Sequence, residues 1–202
     1  QLAAATPRLP EQGCLADIGG GTGYYSVILL DRAPTARSIV LDASKFAARR
    51  AVRGHERVTA IVANAWRRLP IADGSLDVVL NVFAPRNPAE FQRVLNPNGA
   101  LLTATPAPEH LGELVSKLGL LQVDTRKADR IIEQLGPFFE LESTTRCTRQ
   151  LELAAPDIEA IVGMGPNAWH TDTEQLRERI AGLELPLNAT ASVDVSLYRP
   201  RS

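Results

Sequence analysis

The sequence contains few cysteines and no long apolar run. Cys14 and Cys147 are its two cysteines, and they lie far apart along 202 residues. Cys14 opens a predicted buried strand, so we expect a structural thiol there and neither a disulfide nor a metal site. No stretch reaches the length of about 20 apolar residues that crosses a bilayer, and no signal-peptide pattern opens the chain. These absences predict a cytoplasmic protein without a membrane partner.

Lysine is also scarce, and the overall charge is nearly balanced. The 22 basic residues are mostly arginines, and the formal net charge is −1, which is not the strongly basic balance typical of nucleic-acid binders. The arginines form local clusters, at Arg49, Arg50, Arg53 and Arg57, at Arg67 and Arg68, at Arg126 and Arg130, and at Arg146 and Arg149. Arginine forks suit phosphate groups. The codon usage of a GC-rich genome explains the same bias equally well.

Length and composition indicate an ordinary globular protein. With 202 residues, of which 45% are hydrophobic and 22% charged, the chain can bury a substantial core without disulfides or metal ions. We therefore predict a single domain over residues 1–202.

The most informative stretch runs from Cys14 to Gly23. It begins with a short apolar run that ends in Asp17, which predicts a buried strand. Glycines follow, and they allow the backbone to turn tightly and to approach a ligand closely. A predicted helix at Tyr24 to Leu30 points its first amide groups at that ligand. A second predicted strand, Arg37 to Leu41, places Asp42 at its end, where a carboxylate accepts hydrogen bonds from ribose hydroxyls.

The spacing of the glycines separates two kinds of site. Gly19, Gly21 and Gly23 give the pattern G-x-G-x-G behind an acidic residue, whereas dinucleotide-binding turns have G-x-G-x-x-G. The first pattern resembles motif I of the class I methyltransferases that use S-adenosylmethionine (SAM). SAM carries an ammonium group, and we expect Asp17 to hold it directly or through water. A glycine-rich turn in some other α/β protein is the alternative.

The rest of the chain alternates between predicted strands and helices. Further strands are predicted at Val58–Val62, Leu76–Phe83, Ala100–Thr105, Phe138–Leu153 and Ala189–Tyr198. Helices are predicted at Ser44–Arg53, with Ser44 as N-cap, and at Pro88–Leu95, Glu109–Leu118, Lys127–Leu135, Asp157–Val162 and Thr173–Ile180, with a turn at Asn96–Gly99. This alternation predicts an α/β protein with a doubly wound, mostly parallel sheet and an antiparallel addition at its edge.

Candidate ligand contacts follow from where an open α/β sheet binds its ligands, which is beyond the carboxyl ends of the strands. The expected cofactor-binding residues are Asp17, Gly19, Gly21, Thr22, Gly23, Tyr24, Asp42, Ala43, Asn64, Ala65 and His110. The candidates for contact with the methyl acceptor are Asn81, Phe83, His110 and Trp169. Structural roles remain the alternatives: a loop cap for Asn64, core packing for Phe83 and Trp169, and a surface position for His110.

Several of these segments together resemble one family, the bacterial 23S rRNA guanine-N1 methyltransferases, whose relatives include macrolide-resistance enzymes. The matching stretches are Asp17–Tyr25, Leu41–Lys45, Arg68–Asp73, Phe83–Pro85, Arg93–Gly99, Thr103–Pro106, His110–Leu111, Glu113–Leu114 and Met164–Trp169. Four of these features are the most specific to the family: the double tyrosine, the Ser-Lys pair after Asp42, the Ala-Pro pair after the fourth strand, and the tryptophan segment.

The resemblance implies a fold, a cofactor and a substrate. The fold is the seven-stranded, Rossmann-like sheet of class I methyltransferases, the cofactor is SAM, and the substrate is guanine N1 in a 23S rRNA hairpin. His110 is then expected to touch the cofactor or to assist removal of the N1 proton. A base inside a hairpin must leave its stack to react, and Phe83 or Trp169 is expected to hold it.

The chain also departs from that family. Gly20 and Thr22 stand where the family usually has Cys and Glu. The family's N-terminal four-cysteine zinc module, which is implicated in RNA recognition, and the linker after it do not occur within these residues. We therefore expect residues 1–202 alone to bind the hairpin weakly. A SAM-dependent methyltransferase of small molecules and a SAM-binding protein without catalytic activity are the alternatives, and the oligomeric state stays open.

Overall fold

The computed structural model describes residues 9–10, 12–120, 127–164 and 173–201. Trp169 lies outside these ranges, so its predicted place beside the acceptor remains a prediction. Within the described ranges, no helix combines the length and the apolar character needed to traverse a bilayer.

A seven-stranded sheet forms the framework of the fold. Its strands are β1 (Cys14–Ile18), β2 (Arg37–Asp42), β3 (Val58–Val62), β4 (Leu76–Val82), β5 (Leu95–Pro106), β6 (Phe139–Leu153) and β7 (Leu187–Pro200). Their order across the sheet is β3-β2-β1-β4-β5-β7-β6, and the first five strands pair in parallel. Side-chain hydrogen bonds join Thr144 to Ser196 and Thr148 to Ser192, so β6 and β7 run antiparallel. The predicted doubly wound sheet with an antiparallel edge is confirmed.

The helices lie in the connections between the strands. They are α1 (Tyr24–Leu30), α2 (Lys45–Gly54), α3 (Pro88–Val94), α4 (Gly112–Leu118), α5 (Lys127–Leu135), α6 (Ala155–Met164) and α7 (Thr173–Ala181). Ser44 is the N-cap of α2, as predicted, and its hydroxyl oxygen accepts a hydrogen bond from the amide of Ala47 at 3.3 Å.

Two predicted boundaries are wrong for identifiable reasons. The Asn96–Gly99 turn lies inside β5, because Leu76 pairs with Leu95 whereas Val78 pairs with Ala100, and the extra residues bulge from the strand. The helix predicted from Glu109 begins only at Gly112, after Leu111 with a φ of 53°. Because the backbone of Leu111 is in the left-handed region, the right-handed helix α4 cannot extend to residues before Gly112.

The chain divides into two compact units. The first contains Gln1–Thr105, Ala128–Thr145 and Asp194–Ser202, and the second contains Pro106–Lys127 and Arg146–Val193. The core of the first unit includes Ala16, Val79, Phe91, Leu101 and Tyr198. The core of the second includes Leu114, Leu153, Ile158, Val162 and Ile180. The prediction of a single domain over residues 1–202 stays a prediction.

Candidate functional site

The glycine turn after β1 is fixed to the end of β2. The amides of Gly19 and Gly20 both donate to the carbonyl of Leu41, at 2.7 and 3.3 Å. Gly19 has a φ of 75°, and a Cβ added there would lie 2.5 Å from the Cβ of Ala84 in the loop after β4. A glycine at this position therefore lets the turn pass directly against that loop.

Asp17 lies beneath this turn, with none of its surface exposed. Its Oδ2 accepts from the hydroxyl of Ser26 at 3.2 Å, whereas Oδ1 has no partner among the described residues. Burial raises the pKa of the Asp17 carboxyl to about 6. A Cβ on Gly20 would approach the Asp17 Cγ to 2.5 Å, so glycine at position 20 leaves room for this carboxyl group.

Asp17 also compensates for a weak helix start. The N-cap of α1 is Gly23, with a φ of 77° and no side chain that could accept a hydrogen bond. The carboxylate of Asp17 accepts from both the backbone amide and the side chain of Ser26, in the first turn of that helix. The same carboxyl group thus links β1 to α1 while one of its oxygens stays unpartnered within the described chain.

Asp42 connects the turn to the start of α2. Its Oδ2 accepts from the amide of Gly21 at 3.0 Å, and its Oδ1 accepts from the amide of Ser44 at 2.8 Å. Each carboxylate oxygen has a second acceptor site. The half-buried side chain can therefore hold the turn and still accept hydrogen bonds from ligand hydroxyls.

The loop after β3 contains two predicted contacts, Asn64 and Ala65, and one residue that the prediction missed. The Oδ1 of Asn64 accepts from the amide of Trp66 at 2.9 Å, so this side chain caps its own loop, as the structural alternative predicts. Ala65 is buried, but the side chain of Trp66 is 66% exposed. The sequence alone shows that the indole of Trp66 follows a strand at the ligand-binding edge, so its position could be predicted.

Asn81 is fully buried at the end of β4. Its Nδ2 donates to the carbonyl of Pro85 at 2.8 Å and to that of Ile18 at 3.4 Å. The side chain thus joins the ends of β1 and β4 and fixes the loop that contains Ala84. This geometry makes Asn81 a positioning residue, and a direct contact with the acceptor remains a prediction.

The side chain of Phe83 is exposed to solvent, and its backbone has an unusual, left-handed conformation. Its φ is 52° and its side chain is 52% exposed, while its amide donates to the carbonyl of Ala104 at 3.0 Å. Bulky residues rarely adopt left-handed φ, and such strain clusters at functional sites. The core alternative is therefore wrong for Phe83, because half of its side chain is exposed.

Three further predicted residues lie at the same edge of the first unit. Thr22, Tyr24 and Ala43 are all exposed. The ring of Tyr24 packs edge-to-face on Tyr25, with 5.2 Å between the ring centroids. All residues of the first unit that are predicted to contact a ligand thus lie at the edge formed by the ends of β1 to β4.

His110 belongs to the second unit. Its Nδ1 accepts from the amide of Ser192 at 3.1 Å, and its own amide donates to the carbonyl of Ala107 at 3.0 Å. An accepting Nδ1 leaves the proton of the neutral ring on Nε2. The predicted role of His110 at the cofactor or at the N1 proton stays a prediction. Across the described ranges, no group of three or more His, Cys, Asp or Glu residues is arranged to hold a metal ion.

Comparison with known proteins places residues 15–99 in a family described as a methyltransferase domain. The chain is 45% identical over 203 residues to the 23S rRNA (guanine(748)-N(1))-methyltransferase of Streptomyces fradiae, covering 99% of this chain and 72% of that protein. It is 48% identical over 186 residues to a Micromonospora griseorubida protein whose name gives guanine-N1 methylation of 23S rRNA provisionally. That match covers 92% of this chain and 63% of the relative's length.

Solved structures agree on the fold. A geranyl diphosphate methyltransferase in complex with SAM superposes with a TM-score of 0.59 at 14% identity, covering 98% of this chain and 82% of the other. At that level of identity the likeness concerns the fold, which is that of the class I SAM-dependent methyltransferases.

Proposed function

Since this chain belongs to the 23S rRNA guanine-N1 methyltransferase family, we propose that it transfers a methyl group from SAM to N1 of a guanine in a 23S rRNA hairpin. One observation carries the proposal: Asp17, the glycine turn and Asp42 meet at one edge of the sheet, within a sequence that matches the family over almost its whole length. SAM, when bound, supplies a methyl group activated by a sulfonium.

The residues at this edge fit the chemical groups of SAM. Asp17 has an unpartnered, buried carboxylate oxygen, which an ammonium group would complete. Asp42 has acceptor sites left for two ribose hydroxyls. A Cβ on Gly21 would meet nothing within 4 Å, so open space adjoins the backbone between these two acids.

Phe83 is the residue that we propose to contact the acceptor. A guanine must leave its hairpin stack to reach a buried methyl donor, and the exposed ring of Phe83 offers a surface on which it can stack. Guanine N1 must lose its proton to a base before it attacks. The neutral ring of His110, with Nδ1 accepting from Ser192 and its proton on Nε2, has no nitrogen left to take that proton, so we do not assign this step to it. Asn81 contributes by fixing the loop that presents Phe83. Alignment of N1 with the methyl group then supplies much of the rate.

The proposed substrate also suggests where the protein works. Ribosomal RNA is made and assembled in the bacterial cytoplasm, so we place the protein there. Zinc is expected only in the family's N-terminal module, which does not occur within residues 1–202, and it stays a prediction.

The test is methyl transfer to a defined RNA. A hairpin transcript that spans guanine 748 of 23S rRNA is incubated with SAM and either the natural protein or residues 1–202. The RNA is then digested and its 1-methylguanosine measured by mass spectrometry. We expect methylation by the natural protein and slower or absent transfer by residues 1–202, with none when adenine replaces the guanine. SAM binding without methylation of this RNA by the natural protein would contradict the proposal and favour one of the two alternatives.

The affinity for SAM should fall in mild acid. The folded-state pKa of Asp17, about 6, lies above its ordinary value of 3.8, so its protonated form predominates at pH 5, and this form cannot pair with an ammonium. Calorimetry should show binding about tenfold weaker at pH 5 than at pH 7, since one pKa unit corresponds to a tenfold change in ionisation.

Asp17→Asn provides the control, because it cannot ionise. The variant should bind SAM weakly at both pH values, and an unchanged acid dependence would assign the effect to another group. The sign for folding is opposite to that for binding. The neutral carboxyl stabilises the free protein fully below pH 3.8, and this contribution is lost as the pH rises through about 6.

A further inference from the structure

Helix α2 presents an exposed basic face. Its sequence contains Lys45, Arg49, Arg50 and Arg53 and no acidic residue, and all four side chains are exposed. The opposite side of the helix packs through the buried Ala48 and Ala51. Phe46, which is 67% exposed, lies on the same face, because residues three, four and seven positions apart share one side of a helix.

The neighbours of this helix do not neutralise it. Helix α2 packs against α1, β2 and β3, and their charged residues are Arg37 and Asp42, both in β2. Among the described residues, no acidic side chain forms a salt bridge with Arg49, Arg50 or Arg53. The face therefore keeps its positive charge, although the whole chain has a net charge of −1.

This arrangement opposes the stability of the helix. Lys45 stands in the first turn, where the helix dipole disfavours cations, and that turn has no acidic residue. Lys45 with Arg49 and Arg49 with Arg53 form like-charged pairs four residues apart, which repel each other. GC-rich codon usage accounts for arginine instead of lysine but not for the absence of acids. Violations of local stability rules concentrate at functional surfaces.

We propose that the basic face of α2 binds the phosphate backbone of the substrate RNA. The inference rests on the proposed function and names the surface that guides the hairpin to the site. The helix begins three residues after Asp42, so its first turn adjoins the cofactor-binding edge. From Lys45 to Arg53 the face extends about 12 Å, which is long enough to meet more than one phosphate of a nucleic-acid strand. Arginine forks bind phosphate oxygens bidentately.

The test compares two double variants with the same change in charge. Arg49→Gln with Arg50→Gln removes the middle of the basic face, and glutamine has nearly the helix propensity of arginine. Arg53 is left in place, because a cation in the last turn stabilises the helix end. Arg32→Gln with Arg37→Gln is the control, since both side chains are exposed and lie where β2 begins, at the other edge of the sheet.

Binding of the hairpin that contains guanine 748 is measured by fluorescence anisotropy between 25 and 200 mM salt, with both the natural protein and residues 1–202. The α2 variant should bind about tenfold more weakly at the lowest salt. Its slope of log affinity against log salt should be shallower by about 1.5 to 2, as expected for two lost phosphate contacts. The control variant should stay within twofold of the native protein, and calorimetric SAM binding should be unchanged in both.

Equal salt slopes for the two variants would overturn the inference. A changed sedimentation coefficient of the α2 variant without RNA would also overturn it, because the face would then bind a second copy of the chain. Methylation distinguishes this failure from that of the proposed function. If the native protein methylates the hairpin but both variants bind the hairpin equally well, only the role of α2 is refuted. If the α2 variant has a shallower slope of log affinity against log salt than the native protein, but the native protein forms no 1-methylguanosine, only the proposed reaction is refuted.

Discussion

Gly19→Ala is expected to lower the free energy of unfolding by about 3 kcal/mol, whereas Gly21→Ala should lower it by about 1 kcal/mol. Both glycines have positive φ, 75° and 55°, so both substitutions carry a similar backbone strain. They differ in their surroundings, since the new Cβ at position 19 would lie 2.5 Å from that of Ala84 and the one at position 21 would meet nothing within 4 Å. Urea denaturation of the three proteins measures the difference.

Ligand binding should separate the same two variants in another way. Folded Gly21→Ala protein should lose SAM affinity, because its new methyl group occupies the open space beside Asp42 where we place the ligand. Calorimetry on this variant at a temperature well below its unfolding transition isolates that effect. Unchanged affinity would move the ligand away from Gly21. Equal unfolding free energies for the two variants would show that the Ala84 loop yields without cost.

The spacing of local motifs explains why much of this site could be predicted from the sequence. A strand, a glycine turn and an acid at the end of the next strand have to meet when two neighbouring strands are parallel. The hydrogen bond from Gly21 to Asp42 at 3.0 Å reflects that geometry. The N-cap role of Ser44 depends on the next few residues alone, so it could be predicted as well.

The remaining features depend on contacts between distant segments. Nothing near Asn81 in the sequence indicates that its amide reaches the carbonyl of Ile18, 63 residues away. The packing of Gly19 against Ala84 is equally non-local. The bulge at Asn96–Gly99 arises because the pairing of Leu76 with Leu95 overrides local turn chemistry. The position of Trp66, by contrast, could be predicted from the sequence, because it follows closely after the predicted strand Val58–Val62.

Asp42→Ala should weaken binding of S-adenosylhomocysteine, the demethylated product, by about 100-fold or more. Two hydrogen bonds from hydroxyls to a charged carboxylate are worth about 3 kcal/mol together. The substitution also removes the acceptors for the amides of Gly21 and Ser44, so a loss of affinity alone would not prove contact with the ribose. Ser44→Ala controls only for a loosened start of α2, because it removes the hydrogen bond between the Ser44 hydroxyl and Ala47 and leaves Asp42 and both of its amide partners in place.

A ligand without the ribose hydroxyls separates the two roles of Asp42. The native protein should bind 2′,3′-dideoxy S-adenosylhomocysteine about as weakly as the Asp42→Ala variant binds the normal ligand. The variant itself should bind both ligands alike, because it has no carboxylate with which the hydroxyls could pair. In Ser44→Ala, where the carboxylate remains, the preference for the normal ligand should persist. Native protein that binds the two ligands equally would confine Asp42 to holding the turn, and the ribose would have to be bound by another group.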